Sequence, residues 1–148
     1  MDLQSLTLDP LWAMEPAAFG RFVELLRADL PLAAMSAHHD AAAPAPYHNR
    51  NGVAVIPFQG VVNKRNDREG LVSTLKTQSA IAQAVADPAA HSLLLLIDSP
   101  GGTVAGTADL AEAFAAAGQK KPTVAYASDL AASAAYWVGS QAGAVWLA

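Results

Sequence analysis

From Gly52 onward the chain alternates short apolar runs with segments of helical spacing, and this alternation restricts the fold more than any other feature. The runs are G-V-A-V-I-P-F (52–58), L-L-L-L-I (93–97), T-V-A-Y-A (123–127) and A-V-W-L (144–147). Between the first two, Leu71, Leu75, Ala82 and Val85 recur at helical spacing until Asp87-Pro88 stops the helix. A second helix is expected near Thr107–Ala117 and a third around Ser133–Gln141. Strands alternating with helices imply an α/β fold with a parallel sheet and right-handed crossovers. Ligands of such sheets sit at the carboxyl ends of the strands.

The sequence before Gly52 reads differently. Pro16 begins a helical pattern with Phe19, Phe22, Val23, Leu26 and Leu30 on one face, so residues 1–35 are expected to form an amphipathic helical arm. Residues 36–50 (S-A-H-H-D-A-A-A-P-A-P-Y-H-N-R) lose all periodicity and read as a linker. Its three histidines are not fixed relative to one another, so no metal site is read from them. Residues 51–148 then form the folded domain.

Composition closes several routes. A net charge of −4 with no long basic run argues against a nucleic-acid surface. Without cysteine, neither disulfides nor thiolate chemistry arise. M-D-L-Q-S-L lacks the basic start and apolar stretch of a secretory signal, so a cytoplasmic protein is expected. Residues 130–148 carry no charge and are nearly long enough to span a bilayer, but they are mostly Ala, with Ser133, Ser140, Gln141 and two glycines. A buried helix followed by a buried strand suits them better, and no membrane span is expected. The closing A-V-W-L-A reads as a strand in mid-core, so the domain is expected to be incomplete at its C-terminus.

Two stretches at the carboxyl edge of the strands have unusual composition, D-S-P-G-G (98–102) and S-D-L-A-A-S-A-A (128–135). Gly101 and Gly102 allow close backbone approach and an unhindered N–H, as an oxyanion hole requires. Ser133 lies at the start of a helix, where free N–H groups stabilise a developing negative charge. The pair suggests acyl transfer. A glycine-rich turn with a serine helix cap accounts for the same residues. Ser99 is the rival nucleophile, but its place before Pro100 restricts it to extended backbone and suits it to the turn. As a base, His91 lies before the strand that ends at the glycines, about 17 Å from them. Lys120 and Lys121 fail for the same reason. Lys64 follows the first strand and could reach the correct edge, although its neighbours are charged.

V-A-V-I-P-F-Q-G-V-V (53–62), L-L-L-L-I-D-S-P-G-G-T-V-A-G (93–106) and K-P-T-V-A-Y-A-S-D-L-A-A-S-A-A-Y-W-V (121–138) resemble the protease IV, or signal peptide peptidase A, family of serine peptidases, including its bacteriophage head-maturation members. The resemblance implies a ClpP/crotonase-like spiral of β-β-α units with a mostly parallel sheet. It implies Ser133 as nucleophile and the N–H groups of Gly102 and Ala134 as the oxyanion hole, supported by the Ser99-Pro100-Gly101 loop. Many members have glycine at position 134 or 135, where this chain has alanine, and the N–H donor survives the change. In single-domain members the general base is a lysine about fifty residues after the serine, which here lies past Ala148. The chain is therefore expected to hold the nucleophile without its base and to be nearly inactive alone, with Lys64 the weaker candidate.

The resemblance further implies a protein or peptide substrate, no cofactor, and a homo-oligomer. The soluble arm favours the phage or prophage type, whose substrates would be scaffold and capsid proteins. A signal-peptide-degrading peptidase, a ClpP-like Ser-His-Asp peptidase, a crotonase-type acyl-CoA enzyme and an assembly or scaffold-like piece are the alternatives.

Overall fold

A computed structural model describes residues 12–14, 17, 20, 47–65 and 70–148. Its elements are β1 (Trp12–Met14), β2 (His48–Arg50), β3 (Val53–Gln59), β4 (Val61–Asn63), β5 (Leu71–Ser73), α1 (Thr74–Ala86), β6 (Ser92–Ser99), β7 (Gly101–Thr103), α2 (Thr107–Gly118), β8 (Thr123–Ala131), α3 (Ala134–Gly139) and β9 (Ala144–Leu147).

The strands divide into two sheets, one ordered β2-β3-β6-β8-β9 and one ordered β1-β7-β4-β5. Each long strand of the first sheet is parallel to the next, from β3 through β6 and β8 to β9. At Gly60, and again at Pro100, the chain leaves a long strand and places a short one, β4 or β7, in the second sheet before entering a helix. Two successive β-β-α units result, and β8 with α3 begins a third. This is the ClpP/crotonase-like arrangement.

Aliphatic residues drive the long strands. In β6, Leu93, Leu95 and Ile97 are buried on one face while Leu94 and Leu96 are half-buried on the other. Ala54, Ile56 and Phe58 do the same in β3. Leu110, Ala111, Phe114 and Ala117 of α2 join the same buried cluster, at the three- and four-residue spacing of a helix face. Phe58 and Phe114 have no exposed surface, and burial of a side chain of that size contributes about 1.5–3 kcal/mol.

Several expectations are corrected. Residues 48–50, read as the end of the linker, form β2 of a hairpin whose turn is Asn51-Gly52, both at positive φ. Leu71 belongs to β5 rather than to the helix. The buried face of α1 is Thr74, Thr77, Ala80, Ile81 and Ala84, so Leu75 and Ala82 point to solvent. The D-S-P-G-G stretch is not a loop but the end of β6 and the start of β7. In place of a buried final strand, β9 is exposed along its length, with Trp146 64% and Leu147 76% accessible. Most of the expected helical arm, and residues 36–46, lie outside the described residues. Within the arm, Ala17 and Gly20 are helical and Trp12–Met14 is a strand. Among the described residues no helix is long and apolar enough to cross a membrane.

The strand ends opposite the glycines are held by polar contacts. Tyr47 donates its hydroxyl to Asp87 Oδ2 over 2.9 Å, and Ala89 N–H donates to Asp87 Oδ1 over 2.9 Å. Lys121 Nζ donates to the carbonyls of Ala84 and Asp87 at the C-terminus of α1, where a cation opposes the helix dipole.

Candidate active site

Ser133 stands between the end of β8 and the first residue of α3. Its backbone is at φ 52° and ψ −117°. Asn51 is the other non-glycine residue at positive φ among those described, and asparagine tolerates that region in a hairpin turn. Serine has no such tolerance, and a residue held there costs on the order of 1–3 kcal/mol. Its side chain makes no capping hydrogen bond to α3. Ser133 is exposed, so the strain holds a hydroxyl out to solvent at the mouth of a helix. The helix-cap reading of this serine is set aside by that geometry.

The adjoining donor follows from the same turn. Ala135 N–H donates to Ala132 O over 3.0 Å, and Tyr136 N–H donates to the same carbonyl. Ala134 N–H pairs with no acceptor among the described residues, although Ala134 is fully buried. Buried amides are rarely left unpaired, and the first N–H groups of a helix are the ones its own ladder cannot satisfy. No acidic residue lies in the first turn of α3 to oppose negative charge there.

The glycines arrive at the same edge. Ser99 pairs in register with Ala131, and Ala132 N–H donates to Ser99 O over 3.1 Å. Ser133 and Gly101 thus each lie two residues beyond a paired position on neighbouring strands, and α3 packs against β7. Gly101 has φ 93°, a conformation that β-carbon-bearing residues rarely adopt. At Gly102 a β-carbon would overlap the Val62 carbonyl of β4. The glycine pair, expected from the sequence to allow close backbone approach and an unhindered N–H, is also required by the fold itself, for a turn and for close strand packing.

Ser99 is fully buried. Its hydroxyl donates to Gly60 O over 2.6 Å and accepts from Gly101 N–H over 3.2 Å, fixing the β6–β7 corner. Pro100 sits at the corner itself, where no ladder donor is needed.

None of the base candidates is hydrogen-bonded to Ser133 among the described residues. His91 packs beside Gly52 at the opposite end of β6. Lys121 is engaged at the end of α1, and Lys120 is exposed before β8. Lys64 is exposed beyond β4; its carbonyl accepts from Ser73 Oγ and its side chain lies beside Gly106, with no hydrogen bond to Ser133. The sequence reading missed β1, which pairs with the glycine strand. Pro10 and Pro16 bracket that segment, but the residues they bias toward extended backbone are Asp9 and Glu15, so the sequence carried no direct signal for Trp12–Met14.

No family model matches the chain. It is 34% identical over 100 residues to the capsid assembly protease C of Escherichia phage lambda, a match covering 65% of this chain and 23% of that protein. It is 36% identical over 98 residues to the head-tail preconnector protein GP5 of Enterobacteria phage P21, covering 64% and 20%. Protease 4 of Salmonella typhi is 32% identical over 106 residues, covering 71% and 17%. The matches thus span between 17% and 23% of these relatives' lengths. In structure, an enoyl-CoA hydratase/isomerase family member aligns with a TM-score of 0.54 at 16% identity, over 68% of this chain and 46% of that one. That likeness establishes the crotonase-like fold. By sequence, the matched region of the chain is similar to part of Protease 4 and of the two phage head-assembly proteins.

Proposed function

We propose that the chain carries the nucleophile and oxyanion hole of a serine endopeptidase that acts on phage scaffold or capsid proteins in the cytoplasm of the host. The observation that carries this reading is the strained, uncapped and exposed Ser133 beside the unpaired N–H of the buried Ala134. Ser133 Oγ attacks the scissile carbonyl and gives up its proton to a base, and the resulting oxyanion is held by the N–H groups of Ala134 and Gly102. Collapse expels the amine, which takes the proton back from the base, and water then hydrolyses the acyl-enzyme. As the resemblance implies, the base in this reading is a lysine supplied from outside residues 1–148; Lys64, Lys120 and Lys121 make no hydrogen bond to Ser133. Capsid-protein substrates are supported by the names of the phage relatives.

The test is labelling with a fluorophosphonate in the full reading frame, paired with co-expression of the neighbouring scaffold gene. Labelling that is lost in Ser133→Ala, together with scaffold cleavage, supports the peptidase. Absence of labelling with an intact fold overturns it and favours a crotonase-type acyl-CoA enzyme, which needs no serine.

Self-association is a second reading, favoured by the exposed β9. Val145, Trp146 and Leu147 lie accessible on an edge strand, as an interface between copies would require.

A further inference from the structure

Trp12–Met14 pairs antiparallel with Gly101–Thr103, setting Trp12 opposite Thr103, Ala13 opposite Gly102 and Met14 opposite Gly101. One side of β7 is taken by β4, through Val62 and Gly102. The other side is the edge at which a strand could be added, and β1 occupies it. Extended peptides are commonly recognised by adding to such an edge, with main-chain hydrogen bonds supplying affinity. If Gly102 N–H serves the oxyanion, a peptide that brings its carbonyl there runs along this edge of β7. The chain's own residues hold the place that substrate would take.

The ladder is short, three residues on each strand. Three pairs are a weak association by themselves, but a segment of the same chain competes as an intramolecular ligand. Such a strand is held in place and can still be exchanged.

We propose that Trp12–Met14 is a built-in occupant of the substrate-strand site on β7, a strap that an extended peptide must displace. The proposal rests on the peptidase reading above.

The chain has no cysteine, so an engineered pair has no competitor. Trp12→Cys with Thr103→Cys places thiols at directly opposed positions, within the span that a disulfide bridges. Binding is measured by anisotropy with a fluorescein-labelled octapeptide copying residues 9–16, D-P-L-W-A-M-E-P. The reduced protein is expected to bind it at least about tenfold more tightly than the oxidised one. Equal affinity in both states overturns the strap and leaves the peptidase reading standing. No binding in either state removes the peptide site itself and counts against that reading too. Failure of the disulfide to form refutes the pairing.

A second variant, Trp12→Pro with Ala13→Pro, removes the N–H groups of two successive positions of β1, one of which faces β7, without altering β7. It is expected to bind the octapeptide about tenfold more tightly than the unaltered chain, and unchanged affinity overturns the proposal.

Discussion

Ser99 Oγ donates to the Gly60 carbonyl over 2.6 Å, joining the corner where β6 turns into β7 to the corner where β3 turns into β4. The same two corners are joined again by Gly60 N–H donating to Asp98 O over 2.9 Å. Successive units are thereby locked at the edge where Ser133 stands. Ser99→Ala leaves a buried carbonyl short of its donor and is expected to cost about 1–3 kcal/mol in urea denaturation. Equal stability of the two proteins would show that the corner is held by the backbone bond alone.

Gly102→Ala is expected to be far more damaging. A β-carbon there meets the Val62 backbone rather than a flexible side chain, so β4 and β7 must separate. A loss of about 3 kcal/mol or more is expected in thermal unfolding, together with loss of Ser133 labelling.

Ser133→Gly and Ser133→Ala both remove the hydroxyl, yet they differ in strain. Glycine adopts φ 52°, ψ −117° readily and alanine does not. The glycine variant is expected to be about 1 kcal/mol more stable than the alanine variant, even though glycine increases the entropy of the unfolded chain. The comparison is made by chemical denaturation, and an alanine variant of equal or greater stability would contradict the strained geometry.

Acid should weaken the opposite edge of the sheet. Asp87 is held below the usual carboxylate range by the Ala89 N–H, then by the Tyr47 hydroxyl, with the Asn49 amide and the Lys121 charge adding to them. Because the folded value lies below the unfolded one, the stabilisation is present at neutral pH and is lost as pH falls through the carboxylate range toward the folded value. Urea midpoints of the parent and of Asp87→Asn are expected to differ at about pH 7 and to converge at about pH 2. Tyr47 is displaced upward by the same hydrogen bond to Asp87, so this contact also fails as the phenol ionises at strongly alkaline pH.

Trp146→Lys places a charge on the exposed edge strand. Under the self-association reading it is expected to lower the oligomer fraction in light scattering while leaving the circular dichroism spectrum unchanged, because Trp146 is 64% accessible. An unchanged oligomer fraction would remove β9 from the interface.

The long strands were legible because runs such as Leu93–Ile97 are apolar enough to be read directly. The short ones were not: β4, β5 and β7 have three residues each, too few to display a period. Asn51-Gly52 is a strong hairpin signal that the unstructured look of residues 36–50 concealed. The face of α1 was misread because its buried side includes Thr74 and Thr77, which a search for apolar spacing passes over. Ser133 and Gly102 could be chosen as candidates from their residue types and neighbours. The strain at Ser133 and the unpaired N–H of Ala134 are properties of backbone geometry and have no sequence pattern. The pairing of β1 with β7 joins residues far apart in the chain, and local reading carries no information about such contacts.

In the peptidase reading proposed above, the glycine strand has a bearing on selectivity. Gly101 and Gly102 present a bare main chain, so whatever lies against them is gripped alike regardless of its side chains at those two positions. Discrimination has to come from the flanks, where Val104 follows the strand and Tyr136 and Trp137 stand exposed on α3. Redesigning which sequences this edge accepts is therefore a matter of changing those three side chains and leaving the glycines alone.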